Sequence, residues 1–243
     1  MKWFEELGFD YNPFSTESEF AAQFAVGLDE AARELLYFVK SADMAFVEGS
    51  KGTGKSVLLH KLAQQSPMAV YFDCAAQPLD VKRLLMRKSN WLKRLFGYLP
   101  TGVVLLLDNA NNLPQREMDI IKYYYDNNFV ASVVFSAGGL RRAKLSKGII
   151  DRIGGRVIKL RQLDEEDAIL MVSNRLGSYA SLLPAEVVRA IFKEAKRDNS
   201  TFLQLCEKVC SEAVNAKAKQ ASEEHLKAAL EKQSGVSGQA AAA

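Results

Sequence analysis

The sequence is poor in the residues from which zinc sites and disulfide frameworks are built. It has three cysteines and two histidines among 243 residues. Cys206 and Cys210 lie one helical turn apart, but no histidine or second cysteine pair lies near them in sequence, so core positions are the simpler interpretation. A sparse, odd number of cysteines is also typical of a reducing compartment. We therefore predict a cytoplasmic protein without a zinc site.

Long apolar runs are missing as well. No segment approaches the roughly 20 consecutive apolar residues that a membrane helix requires. The first residues, Met1 to Glu6, turn acidic at once, so we expect no secretory leader. Apolar residues nevertheless make up 48% of the chain, which is enough to bury the core of one or two globular domains. We expect no membrane span.

The net charge is only +3, but the charges are unevenly placed. Residues 1–34 are predominantly acidic, with Glu5, Glu6, Asp10, Glu17, Glu19, Asp29, Glu30 and Glu34 against Lys2 and Arg33. The segment 81–100 has no acid, and its basic residues are Lys82, Arg83, Arg87, Lys88, Lys93 and Arg94. A second acid-free basic run comprises Arg141, Arg142, Lys144 and Lys147. Any contact with nucleic acid must therefore be local.

A glycine-rich motif lies between an apolar run and a helix-forming run. Residues 49–56 read GSKGTGKS, which satisfies G-x-x-x-x-G-K-[ST] at every fixed position. The order strand, loop, helix distinguishes a phosphate-binding loop from an ordinary glycine-rich turn. Backbone N–H groups of such a loop, with the positive end of the helix, can surround a nucleotide's phosphates. The predicted nucleotide-binding residues are Gly49, Ser50, Lys51, Gly52, Thr53, Gly54, Lys55, Ser56 and Val57.

The motif also predicts the cofactors, ATP and Mg²⁺. Lys55 is expected to neutralise the terminal phosphates, and the Ser56 hydroxyl to reach Mg²⁺. Asp108 ends an apolar run and is expected to help hold the metal ion; a strand-end carboxylate without a ligand is the alternative.

Apolar runs alternate with helical patterns through the first two thirds of the chain. The runs predict strands at 44–48, 68–73, 103–108, 131–135 and 156–160. Their continuous apolar character is typical of strands covered on both faces. We therefore predict an α/β fold, a five-stranded parallel sheet with flanking helices. Ligands of such sheets bind at the carboxyl ends of the strands, where Gly49, Asp73, Asp108 and Ser136 should gather.

Helical patterns alone follow Leu163. Helix starts are expected at Asp164, at Pro184, at Asn199 or Ser200, and at Ser222. The predicted organisation has four parts, namely an aromatic and acidic arm at 1–28, the nucleotide-binding domain at 29–163, a four-helix domain at 164–233 and a flexible tail at 234–243.

The residue after Asp108 is an amide, Asn109. An amide can orient a water molecule but cannot accept its proton, and losing a positioned base typically costs about 10²–10⁴ in rate. Asp73 and Glu48 are alternative bases. The site is predicted to bind ATP. If either carboxylate acts as the base it is an active ATPase, and otherwise it hydrolyses ATP slowly.

Other candidate catalytic residues have simpler alternatives. Ser136 can contact the γ-phosphate or the attacking water, or it can be an ordinary strand-end serine. Arg152 or Arg156 can reach a neighbouring subunit's nucleotide as an arginine finger, an element that contributes about 10³–10⁵ in rate, or it can be a surface arginine.

The basic residues of 81–100 are predicted to lie on a helix from Asp80 to about Phe96. Positions 83, 87 and 94 then share one face, with Trp91 among them. Together with Arg141 and Arg142 they can contact a phosphate backbone. A solvated helix face or a protein-binding surface is the alternative.

With these motifs the chain resembles the AAA+ ATPases, in particular the ExeA/TniB-like branch and the archaeal origin-recognition (Cdc-type) initiators. Gly49–Ser56 resembles the family's Walker A, and Leu105–Leu113 its Walker B and the segment after it. Asp151–Ile153 before Leu160–Leu163 resembles the arginine-finger region, Asn199–Cys210 the lid helix, and Phe4–Ser15 the branch's N-terminal arm. The resemblance implies ATP-dependent assembly on duplex DNA, as a homo-oligomer or with a partner ATPase subunit, or the energising of transposition or secretion.

The chain departs from the family at two positions. Asn109 stands where the family has glutamate, and Asn199-Ser200-Thr201 stands where it has Asn-Pro-Arg, so Lys196 or Arg197 would have to replace the sensor arginine. Both changes affect hydrolysis and nucleotide sensing rather than binding. We expect a nucleotide-gated, DNA-associated assembly switch with slow or partner-stimulated ATP hydrolysis, with an ATP-dependent protein scaffold as the alternative.

Overall fold

The computed structural model describes residues 2–89 and 98–240. The chain forms two compact units. One is continuous, Leu28–Arg161, and the other combines Met1–Gly27 with Gln162–Ala243.

The continuous unit is built on a parallel sheet. Its strands are β1 (Met44–Glu48), β2 (Ala69–Asp73), β3 (Val103–Asp108), β4 (Val130–Ala137) and β5 (Val157–Lys159). They lie in the order β2-β3-β4-β1-β5, and each neighbouring pair is parallel. The predicted α/β class with a five-stranded parallel sheet is confirmed.

Helices precede, separate and follow the strands along the chain. Their bounds are α1 (Trp3–Glu6), α2 (Ser18–Ala21), α3 (Asp29–Lys40), α4 (Lys55–Gln65), α5 (Val81–Met86), α6 (Gln115–Asp126), α7 (Lys147–Ile153), α8 (Glu165–Leu176), α9 (Ala185–Glu194), α10 (Asn199–Asn215) and α11 (Glu223–Ala240). Short 3₁₀ segments lie at Ala22–Phe24, Ala110–Asn112 and Gly177–Leu182.

Both faces of the sheet are covered. Every residue of β3 is buried, which accounts for its unbroken apolar sequence. On one face, Phe46, Leu105 and Phe135 belong to a core that includes Met118 and Ile121 of α6. Parallel strands held rigidly in this way bring their carboxyl ends to a single edge, which is where the candidate site lies.

Helix α5 is much shorter than the sequence predicted. Asp80 caps its start, as expected, but the helix ends at Met86 rather than near Phe96. The amides of Arg87 and Lys88 bond to carbonyls three residues back, a tight geometry that closes the helix. The rest of the predicted basic helix lies outside the described residues, with Trp91, Lys93 and Arg94.

The N-terminal segment is an integral part of the helical unit, whereas the sequence assigned 1–28 to a separate arm. Trp3, Phe4 and Phe14 are buried in the same core as α8, α9 and α10. The rings of Trp3 and Phe14 stack with centroids 6.0 Å apart. Burial of large aromatic side chains contributes much of the stabilising free energy that so short a segment can obtain, and it attaches the segment to the helices.

A buried arginine holds the same segment by its backbone. The Nη1 atom of Arg175, on α8, donates to the carbonyls of Pro13 and Ser15 at 2.7 and 3.0 Å. Its guanidinium lies 5.8 and 5.7 Å from the ring centres of Phe20 and Phe24. Burial lowers the pKa of Arg175 to about 10. Truncating Arg175 would leave these two carbonyls without their buried donor and should therefore be destabilising. Arg175 thus attaches the N-terminal segment to α8.

Two helix ends differ from the sequence predictions. Asp198, rather than Asn199 or Ser200, caps α10, since its Oδ1 accepts from the amide of Thr201 at 2.9 Å. Helix α11 continues to Ala240, whereas a loose tail was predicted from residue 234. Cys206 and Cys210 lie buried in the core of this unit. Within residues 2–89 and 98–240, no helix combines the length and apolar character needed to cross a membrane.

Candidate functional site

The glycine-rich loop connects β1 to α4 at the carboxyl edge of the sheet. Gly52 and Gly54 have φ of 80° and 90°, a conformation that favours glycine. A Cβ atom on Gly49 would lie 2.4 Å from Oγ1 of Thr53, so the loop has no room for a side chain there. The Thr53 hydroxyl donates to the carbonyl of Ser50 at 2.9 Å. The loop is therefore a preformed turn that leads directly into the start of α4.

Lys55 is the first residue of α4, and its side chain lies back over the loop. Its Nζ donates to the carbonyls of Gly49 and Ser50, each at 2.9 Å. Partial burial lowers the pKa of Lys55, and the nearby charge of Asp108 offsets part of that effect. A partly desolvated ammonium held at this place can pair strongly with phosphate oxygens. Ser56 and Val57 follow it in the first turn of α4.

Asp108, at the end of β3, is only 1% exposed and lies at the centre of a hydroxyl cluster. Its Oδ2 accepts hydrogen bonds from the hydroxyls of Ser56 and Tyr71, the second at 3.0 Å. Its Oδ1 accepts from the hydroxyl of Ser136 and from the amide of Asn109, the latter at 3.0 Å. The structure thus brings together three predicted residues, Ser56, Asp108 and Ser136.

This donor set fits Mg²⁺. A carboxylate and a hydroxyl are hard oxygen ligands, and Mg²⁺ typically takes only one or two such ligands from the protein and the rest from phosphates and water. Among the residues that the structure describes, no cluster of three or more His, Cys, Asp and Glu side chains offers an all-protein metal site. A metal ion held jointly by Ser56, Asp108 and a nucleotide is the arrangement that these residues can support.

Asn109 is bonded to a neighbouring carboxylate. Its backbone is left-handed, with φ 53° and ψ 43°, a region in which asparagine is favoured. Its Nδ2 donates to Oδ1 of Asp73 at 2.8 Å, and Asp73 lies directly beside Asp108 in the strand register. Glu48 is engaged elsewhere, since its Oε2 accepts from the amide of Leu140 at 3.1 Å. Of the two alternative bases, Asp73 is the one that contacts Asn109.

Tyr71 was missed by the sequence analysis. It lies two residues before Asp73 on β2, so both side chains point to the same face of the sheet. That spacing was the available signal, but it does not reveal a contact with the neighbouring strand. Burial and the charges of Asp108 and Asp73 raise the pKa of Tyr71, which keeps its phenol protonated.

A cleft of about 770 Å³ opens beside the loop, at the ends of β1, β4 and β5. Its lining residues are Glu48, Gly49, Gly138, Gly139, Leu140, Arg141, Arg142, Val157, Lys159 and Leu160. Arg141 and Arg142, predicted as nucleic-acid contacts, therefore lie at the same edge of the sheet as the phosphate loop.

The candidate arginine fingers are both paired within the sheet-containing unit. Arg152 lies in α7, and its guanidinium donates to both carboxylate oxygens of Asp126 at 2.8 and 2.9 Å. Arg156 pairs with Asp43 at 2.8 Å. Action on a neighbouring subunit would require the Arg152–Asp126 pair to open.

The basic residues near α5 differ in exposure. Lys82, Arg83 and Arg87 are exposed, whereas Lys88 is half-buried and its Nζ donates to the carbonyl of Pro67 at 2.8 Å. Arg141 and Arg142 are exposed in the turn after β4. Lys93 and Arg94 lie outside the described residues. Lys196 and Arg197 are exposed in the turn before α10.

The comparisons with known proteins agree on the fold. The family model described as "AAA domain" matches residues 41–163, just over half of the chain. No curated protein matches the sequence.

The similar solved structures include those of three proteins, Cdc6p, Orc1 and RuvB. Cdc6p of Pyrobaculum aerophilum is 15% identical, with a TM-score of 0.67 over 92% of this chain and 71% of that one. The Aeropyrum pernix Orc1 protein, solved in complex with DNA, is 15% identical, with a TM-score of 0.66 over 86% of this chain and 65% of that one. The Thermotoga maritima RuvB Holliday junction branch migration motor is 16% identical, with a TM-score of 0.64 over 85% of this chain and 69% of that one.

At such identities the structural likeness establishes the fold alone, whereas the family match covers both the phosphate loop and Asp108. The resemblance to AAA+ ATPases that the motifs indicated, with origin-recognition proteins among the similar structures, is thereby confirmed. The chain belongs to the AAA domain family.

Proposed function

We propose that this protein is an ATP-binding AAA+ switch that hydrolyses ATP slowly unless a partner stimulates it. One observation carries the proposal. The loop with Lys55 leads into Ser56, whose hydroxyl donates to Asp108, while the position after Asp108 holds Asn109, whose amide is bonded to Asp73.

The chain's own residues divide the work of binding. Loop N–H groups cradle the phosphates, and the Lys55 ammonium pairs with the β- and γ-phosphates. Ser56 and Asp108 would hold Mg²⁺, which would supply positive charge to neutralise the phosphates. The buried Ser136 hydroxyl, at the same carboxylate, orients the γ-phosphate or a water. Each of these roles needs only a positioned donor, acceptor or charge, and all of these groups are present.

The hydrolytic step lacks a well-placed base. The Asn109 amide can orient the attacking water, but it cannot take the proton. Asp73 is the neighbouring carboxylate, and its Oδ1 is already accepting from Asn109 and from the amide of Ala75. A second copy can supply Arg152 in trans once its pair with Asp126 opens. We therefore propose self-assembly, or a partner ATPase subunit, as the event that accelerates turnover.

We propose duplex DNA as the surface on which assembly occurs. Lys82, Arg83 and Arg87 are exposed and have no acidic residue near them in sequence beyond Asp80. Arg141 and Arg142 add charge at the sheet edge. Two similar structures, a Holliday junction branch migration motor and an Orc1 protein in complex with DNA, support this choice for a protein of the same fold.

Reversing the charges of Arg83 and Arg87 together should weaken DNA binding and its dependence on salt. Each lost phosphate contact lowers the slope of log K against log salt by about 0.9, so the double variant should lose about 2 from the slope. Fluorescence anisotropy with a labelled duplex, at several salt concentrations and with ATP present, measures both quantities.

A matched control reverses Lys193 and Lys227, which are exposed on the helical unit. This variant has the same change in net charge and should bind duplex DNA like the wild type. Binding that ignores salt, or that responds equally to both double variants, would contradict a DNA-contacting role for α5.

An ATP-dependent protein scaffold is the second candidate. A row of aromatic side chains on the helical unit favours it. The ring centroid of Phe9 lies 5.5 Å from that of Tyr179 and 6.3 Å from that of Tyr11, and the Tyr11 centroid lies 5.0 Å from that of Phe20. Tyr11 and Tyr179 are exposed, and acidic Asp10 lies between the aromatic residues. Such a surface suits the basic surface of another copy. ATP-dependent oligomers without DNA affinity would favour the scaffold over the DNA switch.

A further inference from the structure

Both oxygens of the Asp108 carboxylate are held by donors from different elements. Tyr71 donates to Oδ2 from the neighbouring strand β2, and Ser56 donates to the same oxygen from α4. Ser136, on β4, donates to Oδ1. Ser56 and Ser136 already have proposed roles towards the nucleotide and its metal ion, whereas the Tyr71 side chain has none.

A second aromatic ring supports Tyr71. The ring of His60 lies against it, with centroids 3.9 Å apart and planes inclined by 34°. His60 is one helical turn after Ser56, so both side chains project from the same face of α4. One face of α4 therefore supplies the Ser56 hydroxyl that donates to Asp108 and the His60 ring that packs against Tyr71.

The contact suits a ligand-orienting role. The phenol is neutral, so it fixes the rotation of the carboxylate without adding charge to the site. The Tyr71 side chain is half-buried, and its hydroxyl reaches Oδ2 of Asp108 across the β2–β3 pair. Its rotation is restricted in that position. Donors that fix a metal-binding carboxylate in this way commonly change metal affinity when removed.

We propose that Tyr71, supported by His60, is a positioning residue that holds Asp108 in the orientation that binds Mg²⁺ with the nucleotide. The inference rests on the proposed ATP-binding function. It gives β2 a part in metal-dependent nucleotide binding through Tyr71, in addition to the contact that Asp73 makes with Asn109.

Replacing Tyr71 with phenylalanine removes the hydroxyl and keeps the ring. With a fluorescent ATP analogue, a Mg²⁺ titration of this variant should have its midpoint at about tenfold or more higher Mg²⁺, because outer partners of metal ligands typically contribute 10–100-fold. Affinity for the analogue in EDTA should be unchanged, since the phosphate loop and Lys55 are untouched.

Tyr37→Phe is the matched control. Its side chain is 67% exposed on α3, so the same chemical change there should leave the midpoint unaltered. His60→Phe keeps a ring against Tyr71 and should also bind Mg²⁺ like the wild type. His60→Ala should raise the midpoint, and should add little in the Tyr71→Phe background, because it acts through Tyr71.

The outcomes separate this inference from the proposed function. If the wild type binds the analogue and Tyr71→Phe has the wild-type midpoint, the positioning role is wrong and ATP binding stands. An equal loss of affinity in EDTA and in Mg²⁺ would also overturn it, since that is the result of a general packing defect. If the wild type binds no analogue, the proposed function fails first.

Discussion

Replacing Lys55 with alanine should weaken ATP binding by about 100-fold or more. Hydrogen bonds to charged groups contribute about 1.5–3 kcal/mol each, and the proposed function has the ammonium pairing with two phosphates. The Lys55 ammonium donates to the carbonyls of Gly49 and Ser50 in the loop and does not link elements of the core, so the fold should survive its removal. Isothermal titration calorimetry with ATP and Mg²⁺ measures the change, and thermal unfolding checks the fold.

Lys51→Ala is the control for this effect. Lys51 belongs to the same loop and carries the same charge, but it is exposed. Its removal should change affinity far less than the removal of Lys55. Similar losses in the two variants would mean that the loop attracts ATP by its general charge, and undiminished binding by Lys55→Ala would place the nucleotide elsewhere.

Replacing Asn109 with glutamate should raise ATP turnover by about 10²-fold or more, within the 10²–10⁴ that a positioned base contributes. The change adds a proton acceptor at the residue that follows Asp108 and leaves the binding loop untouched. Phosphate release at saturating ATP, with and without duplex DNA, measures the gain. If turnover rises in neither condition, the missing base is not what limits this protein.

Two features of the site work against the single substitution. The backbone of Asn109 has a left-handed conformation, which costs most other residues about 1–2 kcal/mol. A glutamate there would also lose the amide bond to Asp73 and meet its charge. Combining Asn109→Glu with Asp73→Asn restores an acid–amide pair with the two roles exchanged. The double variant should therefore exceed the single one in turnover while binding ATP equally well.

Features encoded in short stretches of sequence could be predicted. The phosphate loop follows from fixed glycine positions, and the strands follow from continuous apolar runs such as Val103–Leu107. The meeting of Asp73 with Asp108 follows because parallel strands end at one edge, and the register pairs them directly. These predictions need only local conformation and the rule of parallel pairing.

Contacts that depend on the packing of distant segments could not be predicted. The Tyr71 hydroxyl reaches Asp108 across the β2–β3 pair, and its ring lies against His60 of α4. Nothing in any of these segments alone specifies that contact. The pairing of Arg152 with Asp126 likewise depends on how α7 lies against α6. Helix α5 ends early although its sequence continues a helical pattern, so local propensity overestimated its length.

The fate of ATP already bound to the wild-type protein tests most directly whether binding and hydrolysis are separated as proposed. The protein, in excess over ATP and Mg²⁺, is quenched at intervals with and without duplex DNA, and the ADP formed is measured. The protein alone should retain ATP and convert it well below about 1 s⁻¹, the lower end of ordinary enzyme turnover, with faster conversion on DNA. Conversion by the protein alone at about 1 s⁻¹ or above would contradict the slow-switch function.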